Sequence, residues 1–227
     1  MQHYGSSGDK PWSYSTLTAF ELCAMKFAAE KVFKTVKEVR GQATFQGQDG
    51  HSAFEHAVKD HKPLPMDLAH HQPVVDRFSA IPGEVLTEQR VAVNSALQPT
   101  GFFDADVWCR GVIDLIVHNS VEAAIIDWKF GKHMRPDFDQ LDLMVALSMQ
   151  LIPSLDTAMG IFYWAKHKKF TRKKYVRDDL GAIWSGFMPR VARFQAAQKE
   201  KKFPPRANFL CRKHCLVTGC RYHSVGG

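Results

Sequence analysis

The sequence has no apolar run approaching the roughly 20 residues that span a bilayer. Its opening, Met1-Gln2-His3-Tyr4-Gly5-Ser6-Ser7-Gly8, has no apolar stretch of the kind that drives secretion. The expectation is an intracellular protein with no membrane partner. Repeats and low-complexity tracts are absent, which argues against solenoids and fibrous chains. Cysteine is scarce: five among 227 residues, an odd number that argues against a secreted disulfide framework. An acidic excess is also lacking. Lys+Arg is 30 against 23 Asp+Glu, a net charge of +7, which favours a polyanionic partner. What is present is ordinary globular composition, 45% hydrophobic and 23% charged, enough for one domain with a small appendage.

Residues 1–12 are polar and Gly/Ser-rich and read as a loose arm. A helix should follow, with Thr18 and Glu21 at capping-box spacing and Leu17, Phe20, Ala24 and Phe27 at helical intervals. Residues 41–50 contain three glycines and read as a loop, and a helix over 50–60 follows. That helix would carry His51, Phe54, Glu55 and Val58 on one face. Further helices are expected over 66–80, 137–151 and 178–200, and strands over 84–93 and 157–165, with Glu88 in the middle of the first. The order of elements implies a mixed α/β domain.

Two β-rich runs stand out: Gly111-Val112-Ile113-Asp114-Leu115-Ile116-Val117, and Ala123-Ala124-Ile125-Ile126-Asp127-Trp128-Lys129-Phe130. A two-residue turn at Ser120-Val121 would make them a hairpin with Asp114 opposite Asp127 and Val112 opposite Lys129. Paired residues share a face, so Asp114, Asp127 and Lys129 would lie together. Ile113, Leu115, Ile126 and Trp128 would take the other face. Two adjacent carboxylates repel and raise a pKa or recruit a cation. Hard oxygen ligands suit Mg²⁺ or Mn²⁺, and a neighbouring lysine can stabilise charge on a phosphate or orient a water. An exposed polar sheet face is the alternative. His51 and Glu55, one helical turn apart, could both reach a metal, or could be boundary residues.

The order Gly47-Gln48-Asp49-Gly50-His51, Gly111-Val112-Ile113-Asp114, Ile126-Asp127-Trp128-Lys129 and Gln140 closely resembles the RecB-like branch of the PD-(D/E)XK nuclease superfamily. Trp12-Ser13-Tyr14-Ser15-Thr16-Leu17, Cys23 and Lys26-Phe27 are similar to its first helix, and the likeness runs from about residue 12 to residue 223. It implies a restriction-endonuclease-like core over 13–203, a mixed β-sheet flanked by helices, with a Cys-rich tail over 204–227 closing onto the first helix. It implies a metal-dependent deoxyribonuclease, an exonuclease ahead of an endonuclease, acting in DNA recombination, repair or phage DNA processing in the cytoplasm of a bacterial or phage-infected cell. Asp114, Asp127, His51 and the Trp128 backbone carbonyl would hold Mg²⁺ or Mn²⁺. Lys129 would be the catalytic lysine, Gln140 would sit beside it, and Glu55 and Glu88 would stand just outside the ligands. DNA with free ends would be the partner, with a recombination or annealing protein as a second one. The family's Gln-x-x-x-Tyr signature reads Gln140-Leu141-Asp142-Leu143-Met144 here, so its tyrosine is missing. A catalytically idle nuclease-fold binding module is the alternative function.

Cys211, Cys215 and Cys220 cluster with His214 and His223 close by. Three thiolates need a fourth ligand for a closed site, and Cys23 is the remote candidate. Similarity to RecB-like nucleases with one N-terminal and three C-terminal cysteines implies a [4Fe-4S] cluster. Zinc completed by His214 or His223, or unligated thiols, are the alternatives. Cys109 has no partner in sequence and reads as core. Finally, residues 166–177 interleave basic and aromatic side chains. Lys168, Lys169, Arg172, Lys173, Lys174 and Tyr175 are candidates for DNA contact, against the alternative of a solvated surface hairpin.

Overall fold

The computed structural model describes residues 10–37 and 42–224. Most of the expected arm lies outside these residues, but Trp12 at its end belongs to the core. It is 1% exposed, its N–H donates to the Trp108 carbonyl at 3.0 Å, and its own carbonyl accepts from Arg110 N at 3.0 Å.

Helix α1 (Tyr14–Leu22) begins before the expected Thr18–Glu21 box because Ser13 is its cap. Thr16 N donates to Ser13 Oγ at 3.3 Å and Ser13 N to Thr16 Oγ1 at 2.8 Å, so two otherwise orphaned donors are satisfied reciprocally. Thr18 instead returns its hydroxyl to the Tyr14 carbonyl at 3.0 Å. Cys23 adopts an extended conformation that separates α1 from α2 (Ala24–Phe27), which continues into a π-helical turn, Ala28–Val32.

Helix α3 (Gln42–Lys59) departs most from expectation, since it occupies nearly all of the 41–50 segment read as a loop. A Cβ on Gly50 would come within 2.6 Å of the Phe130 ring, so this glycine serves a close approach of helix to strand rather than a turn. Burial of Phe54, Ala57 and Val58 on the following turns stabilises the helix despite its glycines. The expected helix over 66–80 is shorter: a 3₁₀ turn, Ala69–His71, leads into α4 (Gln72–Ser79), with Pro73 in the first turn where its missing N–H costs nothing.

The strands are β1 (Glu84–Asn94), β2 (Pro99–Thr100), β3 (Val107–His118), β4 (Glu122–Lys129), β5 (Thr157–Trp164) and β6 (Lys169–Val176). They form one sheet in the order β2-β1-β3-β4-β5-β6. All neighbours are antiparallel except β4 and β5, which are parallel. That pair needs a crossover, and α5 (Phe138–Leu151) provides it. Helix α6 (Asp179–Glu200) follows β6. One face of the sheet buries Ile116, Ile125 and Phe162 with residues of α1, α5 and α6; the other buries Leu115, Ile126 and Tyr163 with α3 and α4. The result is the expected mixed sheet flanked by helices. Among the described residues no helix is long and apolar enough to cross a membrane.

Two local devices position the site. Asn119 Oδ1 accepts the N–H groups of Val121 (2.9 Å) and Glu122 (2.8 Å), which closes the β3–β4 turn where the sequence places it. Arg190 of α6 clamps Glu21 of α1 through two bonds (2.8 and 2.7 Å) and reaches Asp139 of α5 at 2.7 Å. Three helices are thereby tied together next to Gln140. The chain after α6 lies against the end of α1: Arg206 donates to the Glu21 carbonyl and Asn208 to the Leu22 carbonyl, both at 3.1 Å.

Candidate metal centre

The β3–β4 ladder has the expected register, with Leu115 opposite Ile126 and His118 opposite Ala123, but it stops at Leu115. Beyond that point the strands separate. The expected Asp114–Asp127 and Val112–Lys129 pairs do not form, and Val112 keeps only its pair with Arg90 of β1 on the other edge of β3. The N–H of Trp128, released from the ladder, donates to Asp114 Oδ2 at 2.7 Å. The in–out alternation of β3 also breaks here. Ile113 joins the α5/α6 core and Leu115 the α3/α4 core, although the period of a strand would put both on one face. The expectation that Ile113, Leu115, Ile126 and Trp128 share a face is corrected accordingly. Across from Asp114 in the β1 register stands Glu88, whose φ of 45° is left-handed, a conformation a non-glycine residue holds only at a cost.

This interruption lets side chains from both faces of the sheet converge. His51 arrives from α3, Glu88 from β1 and Asp114 from β3. One ligand atom from each lies within 4.8 Å of the others, a group able to hold a metal ion. His51 Nδ1 is 3.1 Å from Asp114 Oδ2. Burial works against the imidazolium, but the Asp114 hydrogen bond and the charges of Asp114, Asp127 and Glu88 raise its pKa overall. Glu88 is pushed up by burial and then by the charges of Asp114 and Glu55. Glu88, expected just outside the ligands, is thus part of the group that could hold an ion. Glu55 lines the same cleft, about 710 Å³ in volume, and lies 3.9 Å from Lys59.

Asp127 approaches from the α5 face. Its Oδ1 accepts from Gln140 Nε2 at 2.8 Å, and Gln140 Oε1 accepts from Lys129 Nζ at 2.8 Å. Lys129 Nζ is also 2.6 Å from Asp127 Oδ2, so this buried oxygen is held in an ion pair with the ammonium. Burial, then repulsion from Asp114, lifts the Asp127 carboxyl to about 6, with Lys129 pulling it back. A buried carboxyl pushed up by a neighbouring carboxylate, next to a trio of one imidazole and two acids, is the electrostatic condition a divalent cation relieves. The donor set of one imidazole and several carboxylates fits Mg²⁺ or Mn²⁺. Asp127 is not part of the close trio. Its neighbours are Lys129 and Gln140.

Residues 11–225 match the PD-(D/E)XK nuclease superfamily. The chain belongs to this superfamily. A solved protein from Eubacterium rectale, described as a candidate exonuclease, is similar in fold at 14% identity, with a TM-score of 0.51 over 90% of this chain and 86% of that one. The solved protein SSO0001 is also similar at 14% identity, with a TM-score of 0.49 over 96% of this chain and 90% of that one. No curated protein matches the sequence.

The other sequence-derived candidates in this superfamily member fall into two places. Cys23, Cys211, Cys215 and Cys220 line one small cavity together with His223, whereas Cys109 is buried in the core. The basic stretch divides along β6. Lys169, Arg172 and Lys174 are exposed, with Lys168 just before them. Lys173 turns inward to Asp142 at 2.7 Å. Tyr175 is 1% exposed, with its hydroxyl donating to Asp142 at 2.6 Å. The ring of Tyr175 therefore has no surface to offer a base, and its expected DNA contact is withdrawn.

Proposed function

We propose that the protein is a metal-dependent deoxyribonuclease of the RecB-like branch, hydrolysing phosphodiester bonds and working as an exonuclease on DNA ends. The observation that carries this reading is the meeting of His51, Glu88 and Asp114 with the Asp127–Lys129–Gln140 chain where β3 and β4 part. His51 on α3, in addition to the hairpin acids, supports the RecB-like branch. An idle binding module would have no use for an ammonium held against a buried carboxylate next to a group able to hold a metal ion.

His51, Glu88, Asp114 and Asp127 Oδ2 would hold the ion. The Trp128 carbonyl is a further ligand candidate: in an extended strand it projects to the same side as the Trp128 N–H, which already points at Asp114. A divalent cation here supplies charge stabilisation to the phosphate and lowers the pKa of a water. Lys129, oriented by Gln140, presents its ammonium to the attacking water or to a phosphate oxygen. The water oxygen bonds to phosphorus, the bond to the leaving oxygen breaks, and that oxygen takes up a proton. The test is incubation with end-labelled linear and with circular DNA in Mg²⁺ or Mn²⁺. Chelator-sensitive loss of linear DNA alone is the expected result. Cleavage by the Asp114→Ala and Lys129→Ala variants at the wild-type rate would refute the assignment.

We further propose that the four cysteines hold a [4Fe-4S] cluster. All four cysteines line one cavity, and the order of one N-terminal and three C-terminal cysteines supports the cluster reading. Zinc is the second reading, supported by His223 Nδ1, which is buried with no hydrogen-bond partner beside the thiols. A visible absorbance that bleaches on reduction separates the first from a colourless protein with stoichiometric zinc.

A further inference from the structure

Between β2 and β3 the turn at residues 101–106 lifts two phenylalanines out of the fold. Phe103 is 76% exposed and Phe102 is half-buried, with their rings 5.1 Å apart and nearly perpendicular. Exposed aromatic surface of this kind forgoes burial free energy and marks a contact site. The turn is well braced. Gly101 N donates to Asp104 Oδ2 at 2.8 Å, and the Thr100 hydroxyl lies 3.1 Å from Asp104 Oδ2 and 2.8 Å from Asp106 Oδ1. Both acids of the turn are therefore engaged with its own backbone and hydroxyl.

Two guanidinium groups border the rings. Arg90 lies 5.8 Å from the centroid of each, and Arg110 lies 5.1 Å from that of Phe102 while also donating to the Phe102 carbonyl at 3.3 Å. Neither arginine forms an ion pair with a carboxylate among the described residues. Arg90 and Val112 line the cleft that holds His51, Glu88 and Asp114. Arg110, Phe102 and the same Val112 line a second cleft, which reaches Gln140. Val112, 45% exposed, lines both, so the two clefts adjoin at this residue, one carrying the metal-capable trio and the other Phe102. At about 3.3 Å per strand residue, the four-residue step from Asp114 to Arg110 covers about 13 Å.

We propose that Phe102 and Phe103, bordered by Arg90 and Arg110, form a stacking platform for the bases of an unpaired DNA strand whose backbone passes Arg90 and Val112 toward the trio. The proposal rests on the nuclease reading for its purpose and makes single-stranded DNA, or a frayed end, the preferred substrate. Unpaired bases expose faces that stack on aromatic rings and guanidinium planes regardless of sequence, while the arginines neutralise the phosphates. A duplex keeps its bases stacked on one another and offers only its phosphates.

The test uses the full chain without added divalent metal, a single-stranded oligonucleotide containing 2-aminopurine, and a blunt duplex of the same length. Phe103→Ala should weaken single-strand affinity by at least about five-fold, the lower end for loss of one stacked base. It should abolish the quenching of 2-aminopurine and leave duplex affinity unchanged, while Phe103→Trp should retain single-strand affinity and quenching. The exposure of Phe103 keeps the fold out of the comparison, and an unaltered melting temperature verifies this. Wild-type single-strand affinity and quenching in Phe103→Ala, or an equal loss on the duplex, would overturn the platform. A wild-type chain that binds and quenches but cuts nothing in Mg²⁺ or Mn²⁺ would overturn the nuclease reading and leave the platform standing.

Discussion

Glu88 illustrates how a single backbone torsion can create a site. Its left-handed φ and its missing pair with Asp114 bring a second carboxylate beside His51 and Asp114, at a place where a regular strand would alternate past it. Glu88→Gln should lower Mn²⁺ affinity at least about ten-fold, since even groups outside the direct ligands commonly cost that much. Isothermal titration of the two proteins checks this, with wild-type affinity in the variant as the contrary result. Asp127 makes a second prediction, with a definite sign. Its carboxyl titrates at about 6 in the fold against roughly 3.9 in an unfolded chain. Between those values the folded, metal-free protein holds a proton that the unfolded chain has released, so this residue's contribution to stability is present at low pH and is lost as pH rises through about 6. The melting temperature of metal-free wild type, measured relative to Asp127→Asn, should fall across that window, and a flat difference would refute the shift. The hairpin that carries Asp114, Asp127 and Lys129 was legible in the sequence through local alternation and turn chemistry, but not the end of its ladder at Leu115, which parts the expected pairs. The role of Glu88 was not, because no neighbouring residue encodes a left-handed torsion in mid-strand. Phe102 and Phe103 were equally silent, since two aromatics in a polar turn follow no period.

Elements show the same division. The four sheet-forming runs and the helices over 137–151 and 178–200 emerge from periodicity, since their burial faces repeat within a few residues. The start of α3 does not. Its glycines look like loop residues until Phe130, eighty positions away, is seen to fill the space that a Cβ on Gly50 would occupy. Strand β6 is the clearest case of an element resolving an ambiguous run. Its alternation directs Lys173 and Tyr175 toward Asp142 and turns Arg172 and Lys174 to the opposite side, while Lys169 is exposed at the start of the strand. A basic edge strand also resists pairing with another sheet, so exposure alone does not establish DNA binding there. If DNA does lie along it, Lys169→Glu and Lys174→Glu should each reduce the slope of log affinity against log salt by about 0.9 on duplex DNA, the value for one phosphate that the lysine no longer neutralises. Lys173→Gln should instead lower the melting temperature, because it leaves Asp142 less well compensated. Titrations over a range of NaCl separate the two classes, and an unchanged slope in both outward variants would assign the basic edge to solubility alone.

At the scale of the whole molecule, the two ends of the described chain are brought together. Cys23, at the break between α1 and α2, faces Cys211, Cys215 and Cys220 across a cavity closed by 3₁₀ turn Phe209–Arg212, and Asn208 and Arg206 bond the last carbonyls of α1. The segment between Lys201 and Ser224 otherwise contains little regular structure and buries few side chains, Cys211 among them. Hydrophobic burial is therefore a weak hold on the tail, and a bound metal group would supply what the core does not. Because α1 is also clamped by Arg190 to α5, whose first turn carries Gln140, loosening the tail should be felt at the site as well as at the terminus. Cys23→Ser, or removal of the bound group from wild type, should lower the melting temperature by about 5–10 °C, the shift expected for a few kcal/mol in a domain of this size. It should also open residues 201–224 to limited proteolysis while the sheet stays resistant. If the tail remains protected and the melting temperature is unmoved in Cys23→Ser, the four thiols share a cavity without sharing a ligand, and the junction is held by the Asn208 and Arg206 hydrogen bonds alone.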